Sequence, residues 1–268
     1  MRRFVPVFLT LVSLAACSRP ELRHAPSATV TTAAATPAPS APPAADPPPS
    51  EPPPPRGPAV VEQLAQDHDH PISLVRGDED RKLSIVFMGG VCSNAFAYLS
   101  GFPEAARAHG GVLAIEGDQP CGAPNSGYHS YSWDAAKQNA RIEAALARAG
   151  ASVPPGGLTL VGYSAGAGIG EQMVQRWPDR YARVVLIGAP TDPSTQRLKG
   201  ARGVVTMSCT LDVPLRMKEA ARRLNHAGVP ATYLEMPGCR HGNLADGERV
   251  MGSAFAWLDE NQRSAGGT

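Results

Sequence analysis

Residues 158–166 read Leu-Thr-Leu-Val-Gly-Tyr-Ser-Ala-Gly, an apolar run that ends in Gly162-Tyr163-Ser164-Ala165-Gly166. A helical pattern over 165–177 follows at once. This order places Ser164 on a sharp strand-to-helix turn, with its hydroxyl at the top of a sheet beside a helix N-terminus. Gly162 and Gly166 suit the turn because a side chain at either position would collide with neighbouring backbone. The chemistry open to such a serine is nucleophilic attack, which needs a base for the hydroxyl proton and donors for the developing oxyanion. The bland alternative is a Gly-rich turn that only packs helix against strand, a purpose Gly166, Gly168 and Gly170 could partly serve.

A serine on such a turn needs a sheet to carry it. Short β-branched or apolar runs occur at 72–76, 83–88, 112–116, 158–163, 184–187, 204–208 and 232–235. Helical patterns lie between them at 94–109, 133–149, 165–177, 215–227 and 251–262. Alternation of this length implies a mostly parallel sheet with helices on both faces, since parallel strands need crossover connections. Functional groups then collect at the carboxyl ends of the strands.

With its strand before and its helix after, the Gly-x-Ser-x-Gly segment resembles the α/β-hydrolase family, over roughly residues 70–263. The resemblance implies an α/β-hydrolase fold and a triad in the chain order Ser, acid, His. Asp212, after the run 204–208 and before Val213-Pro214, is similar to the acid loop of many members, with helix capping as its other reading. Asp192, after the preceding strand, competes with it, because some members place the acid there. His241, after the run 232–235, fits the histidine position, whereas His226 sits in a helical segment before Gly228. In these roles His241 is the general base and acid, and Asp212 fixes its tautomer and charge.

One oxyanion donor is then the Ala165 N–H. Aligning Phe87-Met88-Gly89-Gly90-Val91 with the family's apolar-apolar-His-Gly-x places the second at Val91, with Gly89 departing from the usual His. Because 188–203 is short, no large cap domain is expected and the cleft should be open. An esterase acting on a small accessible ester is the leading expectation. A serine peptidase or polyester depolymerase on the same triad is an alternative, as is a catalytically silent binding protein of the same fold.

Cys92, Cys121, Cys209 and Cys239 allow three connectivities. In the strand order that the resemblance implies, Cys92 and Cys121 leave adjacent strands, as do Cys209 and Cys239, so these are the expected disulfides. The second would tie the Asp212 loop to the His241 loop. No Cys-x-x-Cys pair exists, and Asp67-His68-Asp69-His70 reads as a solvated entry loop, so no metal is expected. No Walker loop or Gly-x-Gly-x-x-Gly after a strand implies a nucleotide cofactor, and no cofactor of any kind is expected. The stretch 117–133 carries Tyr128, His129, Tyr131 and Trp133, which would either line a pocket wall or pack as a surface loop.

The N-terminus adds a location. Met1-Arg2-Arg3 precedes an apolar stretch to Ala16 that is too short to span a bilayer, so residues 1–16 read as a signal peptide. Leu14-Ala15-Ala16-Cys17 resembles the lipobox of bacterial lipoproteins, which implies cleavage before Cys17 and a lipid on it. Ser18 in place of Asp implies no retention at the inner membrane, if the host has two membranes. Residues 17–58 then read as an anchor and a Pro/Ala-rich tether, with 12 prolines among residues 37–58. Such a stretch favours polyproline II, as a semi-rigid spacer or a proline-rich recognition motif. Residues 59–268 remain for one domain. The chain has 25 Lys+Arg against 24 Asp+Glu and no long basic run, which gives no support for a nucleic-acid partner. The expected protein is an exported, lipid-anchored monomer whose partners are an ester substrate and the membrane.

Overall fold

In the computed structural model, residues 57–78 and 82–264 are described. They fall in the second of two units of the chain, Pro55–Thr268. The signal segment, Cys17 and all but the last two tether residues lie outside the described residues.

The strands are β1 (Glu62–Gln66), β2 (Asp69–Val75), β3 (Ile85–Met88), β4 (Val112–Ile115), β5 (Gln119–Pro120), β6 (His129–Ser130), β7 (Thr159–Tyr163), β8 (Arg183–Ile187), β9 (Gly203–Cys209) and β10 (Ala231–Met236). The helices are α1 (Ala95–Leu99), α2 (Pro103–Ala108), α3 (Ala135–Arg148), α4 (Ala165–Arg176), α5 (Thr195–Leu198), α6 (Pro214–His226) and α7 (Gly247–Asn261). Eight strands form one sheet in the order β1-β2-β4-β3-β7-β8-β9-β10. β1–β2 and β2–β4 pair antiparallel; every other pair in this sheet is parallel.

The central strands are apolar along their whole length because both faces are covered. Successive residues alternate between two cores. Val86, Met88 and Leu160 face a core with α3, α4 and α6. Ile85, Phe87, Val161 and Tyr163 face the other, with α1, α2 and α7. Each fully buried large side chain is worth about 1.5–3 kcal/mol. The segment 188–202 carries only the single-turn α5, so no large cap stands over the sheet.

The structure departs from the periodicity in instructive places. The single helix expected over 94–109 is two, α1 and α2, because Gly101 and Pro103 interrupt it and Pro103 takes the first position of α2. β1 was not expected from its mostly polar sequence; it is an edge strand whose residues alternate between half-buried and exposed. The 117–133 stretch folds into a small hairpin, β5–β6.

Asp118 anchors the end of that hairpin. Its carboxylate accepts from the Ser132 N–H and hydroxyl, both at 2.7 Å, and from Gln138 Nε2 at 2.9 Å, and Lys137 Nζ lies 2.6 Å away. Burial pushes this carboxyl up, but the bonds from Lys137, Ser132 and Gln138 outweigh it and hold the group well below the usual carboxylate range. A depressed folded value stabilises the protein fully above the unfolded value of about 4, and the benefit drains away as pH falls below that. Asp118→Asn is therefore expected to lower Tm at pH 7. The gap to wild type should narrow as pH falls from about 4, in thermal melts of both proteins.

Candidate active site

The turn at Ser164 is built as its glycines demand. Ser164 has φ +50°, a left-handed backbone conformation held between β7 and α4. A Cβ on Gly162 would lie 2.6 Å from the Ala167 backbone, and one on Gly166 would run into the Met88 carbonyl. Strain of this kind costs on the order of 1–3 kcal/mol and persists only where the surroundings enforce it. Here β3, β7 and the first turn of α4 do so.

Three side chains from three loops meet at this turn. His241 Nε2 lies 3.0 Å from Ser164 Oγ, and His241 Nδ1 lies 2.7 Å from Asp212 Oδ2. Asp212 is the more enclosed of the pair, with 13% side-chain exposure against 44% for His241. The competing acid, Asp192, points elsewhere: it is 69% exposed and pairs with Arg216 Nε at 3.2 Å. His226 lies at the far end of α6, against Arg222. Of the two carboxylates open on sequence, the structure brings Asp212 to the histidine.

Several residues that sequence reasoning did not single out hold this geometry. Gly188, at φ +52° after β8, leaves room for the pair: a Cβ there would sit 3.0 Å from Asp212 Oδ2 and 3.0 Å from His241 Cε1. Tyr163 accepts from the Gly242 N–H at 2.6 Å and donates to the Asn243 carbonyl at 3.3 Å. Burial raises its phenol above the ordinary value, which keeps the donor proton in place. Tyr98 donates to the Gly242 carbonyl at 3.1 Å. Two tyrosines thus hold Gly242, the residue that follows His241, by its N–H and its carbonyl. The strand-end position of Gly188 was a readable signal; the tyrosine contacts, distant in sequence, were not.

The cysteines pair as Cys92–Cys121 and Cys209–Cys239. The second closes a loop with a sequence separation of 30 and joins the end of β9 to the segment before His241. Loop-closure entropy makes such a bridge worth about 3–4 kcal/mol. The Leu211 N–H on the Cys239 carbonyl, at 3.1 Å, and the Gly238 N–H on Thr210 Oγ1, at 2.7 Å, tie the same two loops.

Among the described residues, the N–H groups of Gly90, Val91 and Ala165 donate to no protein acceptor. All three lie beside the nucleophile or on the loop leaving β3. A cavity of about 470 Å³ opens between that loop, α1 and the segment after His241. Its walls include Val91, Asn94, Tyr98, Tyr128 and Asn243, and no carboxylate, ammonium or guanidinium. On the other side of the turn the half-exposed Trp133 lies against Gly168. Tyr128 lines a cavity, and Tyr131 is buried. Asp67-His68 forms the turn between β1 and β2, and the Asp69 carboxylate is held by Arg141 through two bonds of 2.8 Å.

Sheet order, turn and loop placement together define an α/β-hydrolase fold, and solved structures agree. The fluorophosphonate-binding serine hydrolase FphF of Staphylococcus aureus superposes with a TM-score of 0.54 at 14% identity, covering 75% of this chain and 99% of its own. Carboxyl esterase 2 of Tuber melanosporum gives 0.53 at 13% identity, covering 76% of this chain and 88% of its own. TT1662 of Thermus thermophilus gives 0.54 at 18% identity, covering 78% of this chain and 100% of its own. No protein-family model and no curated protein sequence matches the chain.

Proposed function

We propose that the protein is a serine hydrolase that cleaves a carboxylic ester through an acyl-enzyme on Ser164. The observation that carries this reading is the unbroken chain from Ser164 Oγ through His241 to Asp212, at 3.0 and 2.7 Å. In the first half-reaction His241 Nε2 takes the hydroxyl proton as Oγ bonds to the carbonyl carbon. The Ala165 and Val91 N–H groups hold the oxyanion. The bond to the alkoxy group breaks, and His241 returns the proton to the departing alcohol. In the second half water takes the place of the alcohol: its oxygen bonds to the carbonyl carbon as His241 Nε2 takes its proton, the acyl–Oγ bond breaks to release the acid, and His241 returns the proton to Ser164 Oγ. Asp212 keeps the Nδ1 proton in place and stabilises the charged ring in both halves.

The choice of ester follows the uncharged lining of the cavity between Val91 and Gly242, the residue after His241; the cleft on the Asp212 side instead carries Arg216, Glu219 and Arg223. The esterase and serine hydrolase named among the similar structures support the same reading. We also propose that the chain is exported and held to a membrane by a lipid on Cys17. The Leu14-Ala15-Ala16-Cys17 segment supports this, and two disulfides fit an oxidising compartment.

A fluorophosphonate probe tests the site directly. Covalent labelling of wild type, lost in Ser164→Ala, is the expected result. Wild type that neither labels nor turns over a panel of short esters would make the fold a silent binding protein.

A further inference from the structure

The loop leaving β3 is fixed one peptide at a time. The Gly89 N–H donates to the buried Tyr131 phenol at 3.0 Å, and that phenol donates to the Ile115 carbonyl at 2.7 Å. The Gly89 carbonyl accepts from the Gly166 N–H at 3.0 Å. The Gly90 carbonyl accepts from the Ser93 hydroxyl, also at 3.0 Å. Beyond it, Cys92 N–H donates to Ser130 Oγ at 3.0 Å, and Ser93 and His129 exchange backbone bonds of 3.1 and 3.3 Å. The Cys92–Cys121 disulfide closes the arrangement.

A trans peptide points its carbonyl and its N–H in opposite directions. The Gly89 carbonyl reaches to the first turn of α4, so the Gly90 N–H points away from that helix, where Ala165 supplies its own free N–H. The Ser93 hydroxyl holds the Gly90 carbonyl to its side, which turns the Val91 N–H the other way. This peptide stands beside the nucleophile: a Cβ on Gly90 would be 3.3 Å from Ser164 Cβ and 3.9 Å from Ser164 Oγ.

We propose that Ser93 is a positioning residue for hydrolysis, its hydroxyl on the Gly90 carbonyl setting the Val91 N–H toward the oxyanion formed at Ser164. The inference rests on the serine hydrolase reading above. It also accounts for the bare residue at position 89. A Cβ on Gly89 would occupy the space of the Ser93 hydroxyl, while its next contacts, Ser93 Cβ at 3.4 Å and Tyr98 Cδ2 at 3.6 Å, are ordinary ones. Gly89 and Ser93 therefore form one device, with the glycine vacant so that the hydroxyl can reach its carbonyl.

Steady-state kinetics on a short ester, with a trifluoromethyl ketone as the oxyanion-forming inhibitor, tests this. Ser93→Ala should lower kcat about tenfold, less than the loss of a whole oxyanion donor because Val91 remains present but unaimed. KM should stay within about twofold, and inhibitor affinity should fall in proportion to kcat/KM. The midpoint of the pH–rate profile should not move, because the base is untouched. Ser93→Thr, which keeps the hydroxyl, should restore kcat to within about threefold of wild type. Gly89→Ala should match Ser93→Ala, and the double variant should be no slower than either, since both break the same bond. A Ser93→Ala enzyme with wild-type kcat and inhibitor affinity overturns the inference, as does a loss confined to KM or an additive double variant. Those outcomes leave wild-type turnover and probe labelling intact. If wild type itself neither turns over nor labels, the hydrolase reading fails, and the inference goes with it.

Discussion

Replacing Ser164 with alanine is expected to lower kcat on a short ester by a factor on the order of 10⁶, the scale at which a nucleophile and its base act as one unit. The unit is visible as the hydrogen bond between His241 Nε2 and Ser164 Oγ. His241→Ala should cost about as much, and the double variant should fall no further, because a base without its nucleophile has nothing to activate. Residual hydrolysis above the uncatalysed rate should survive all three changes, supplied by the Ala165 and Val91 donors and by substrate binding. Stability should respond differently. Ser164 Oγ makes one side-chain bond, to the half-exposed His241, so removing it should shift Tm by only a few degrees. Initial-rate measurements on the four proteins, paired with thermal melts, check both halves. Additive losses from the single variants would mean that serine and histidine act separately.

Ser164 was legible from the sequence because its signal is local. An apolar strand, two glycines and a helix occupy consecutive residues, and each constrains the same turn. His241 and the two cysteine pairs were legible only once a strand order was assumed, since each depends on which loops leave neighbouring strands. Asp212 shows where that kind of reading stops. Asp192 and Asp212 both follow a strand, and on sequence only the likeness of Asp212-Val213-Pro214 to the family's acid loop favours one of them. What separates them in the structure is tertiary: Asp192 is exposed and paired with Arg216 in the first turn of α6, whereas the Cys209–Cys239 bridge joins the end of β9 to the histidine loop. The same limit hid the roles of Tyr163 and Tyr98. Their hydroxyls bond peptides across the fold, and a tyrosine in an apolar run reads as core whatever its hydroxyl does. The split of α1 from α2 was a different kind of miss. Gly101 and Pro103 were readable helix breakers, outweighed in the reading by apolar periodicity on both sides of them.

The roles of the two carboxylates can be separated by a change that leaves shape alone. Asp212→Asn is expected to lower kcat by about 10³- to 10⁴-fold. An amide at this position is nearly isosteric with the carboxylate and can still bond the ring. It can do so as a donor, which favours the tautomer with its proton on Nε2, where the base must be free to accept from Ser164. Even in the other tautomer, an amide does not stabilise the imidazolium that forms as the proton moves. The loss should therefore fall on kcat, with KM nearly unchanged and the protein still folded. Asp192→Asn is the matched control. Its carboxylate is mostly exposed and, among the described residues, pairs with Arg216 at 3.2 Å, a surface ion pair worth about 0–1 kcal/mol. Its kcat should stay within about twofold of wild type. The opposite ranking would assign the acid to the loop after β8 and would require the loop carrying His241 to swing away from Asp212 during turnover. The Cys209–Cys239 bridge and the paired bonds from Tyr163 and Tyr98 oppose that movement.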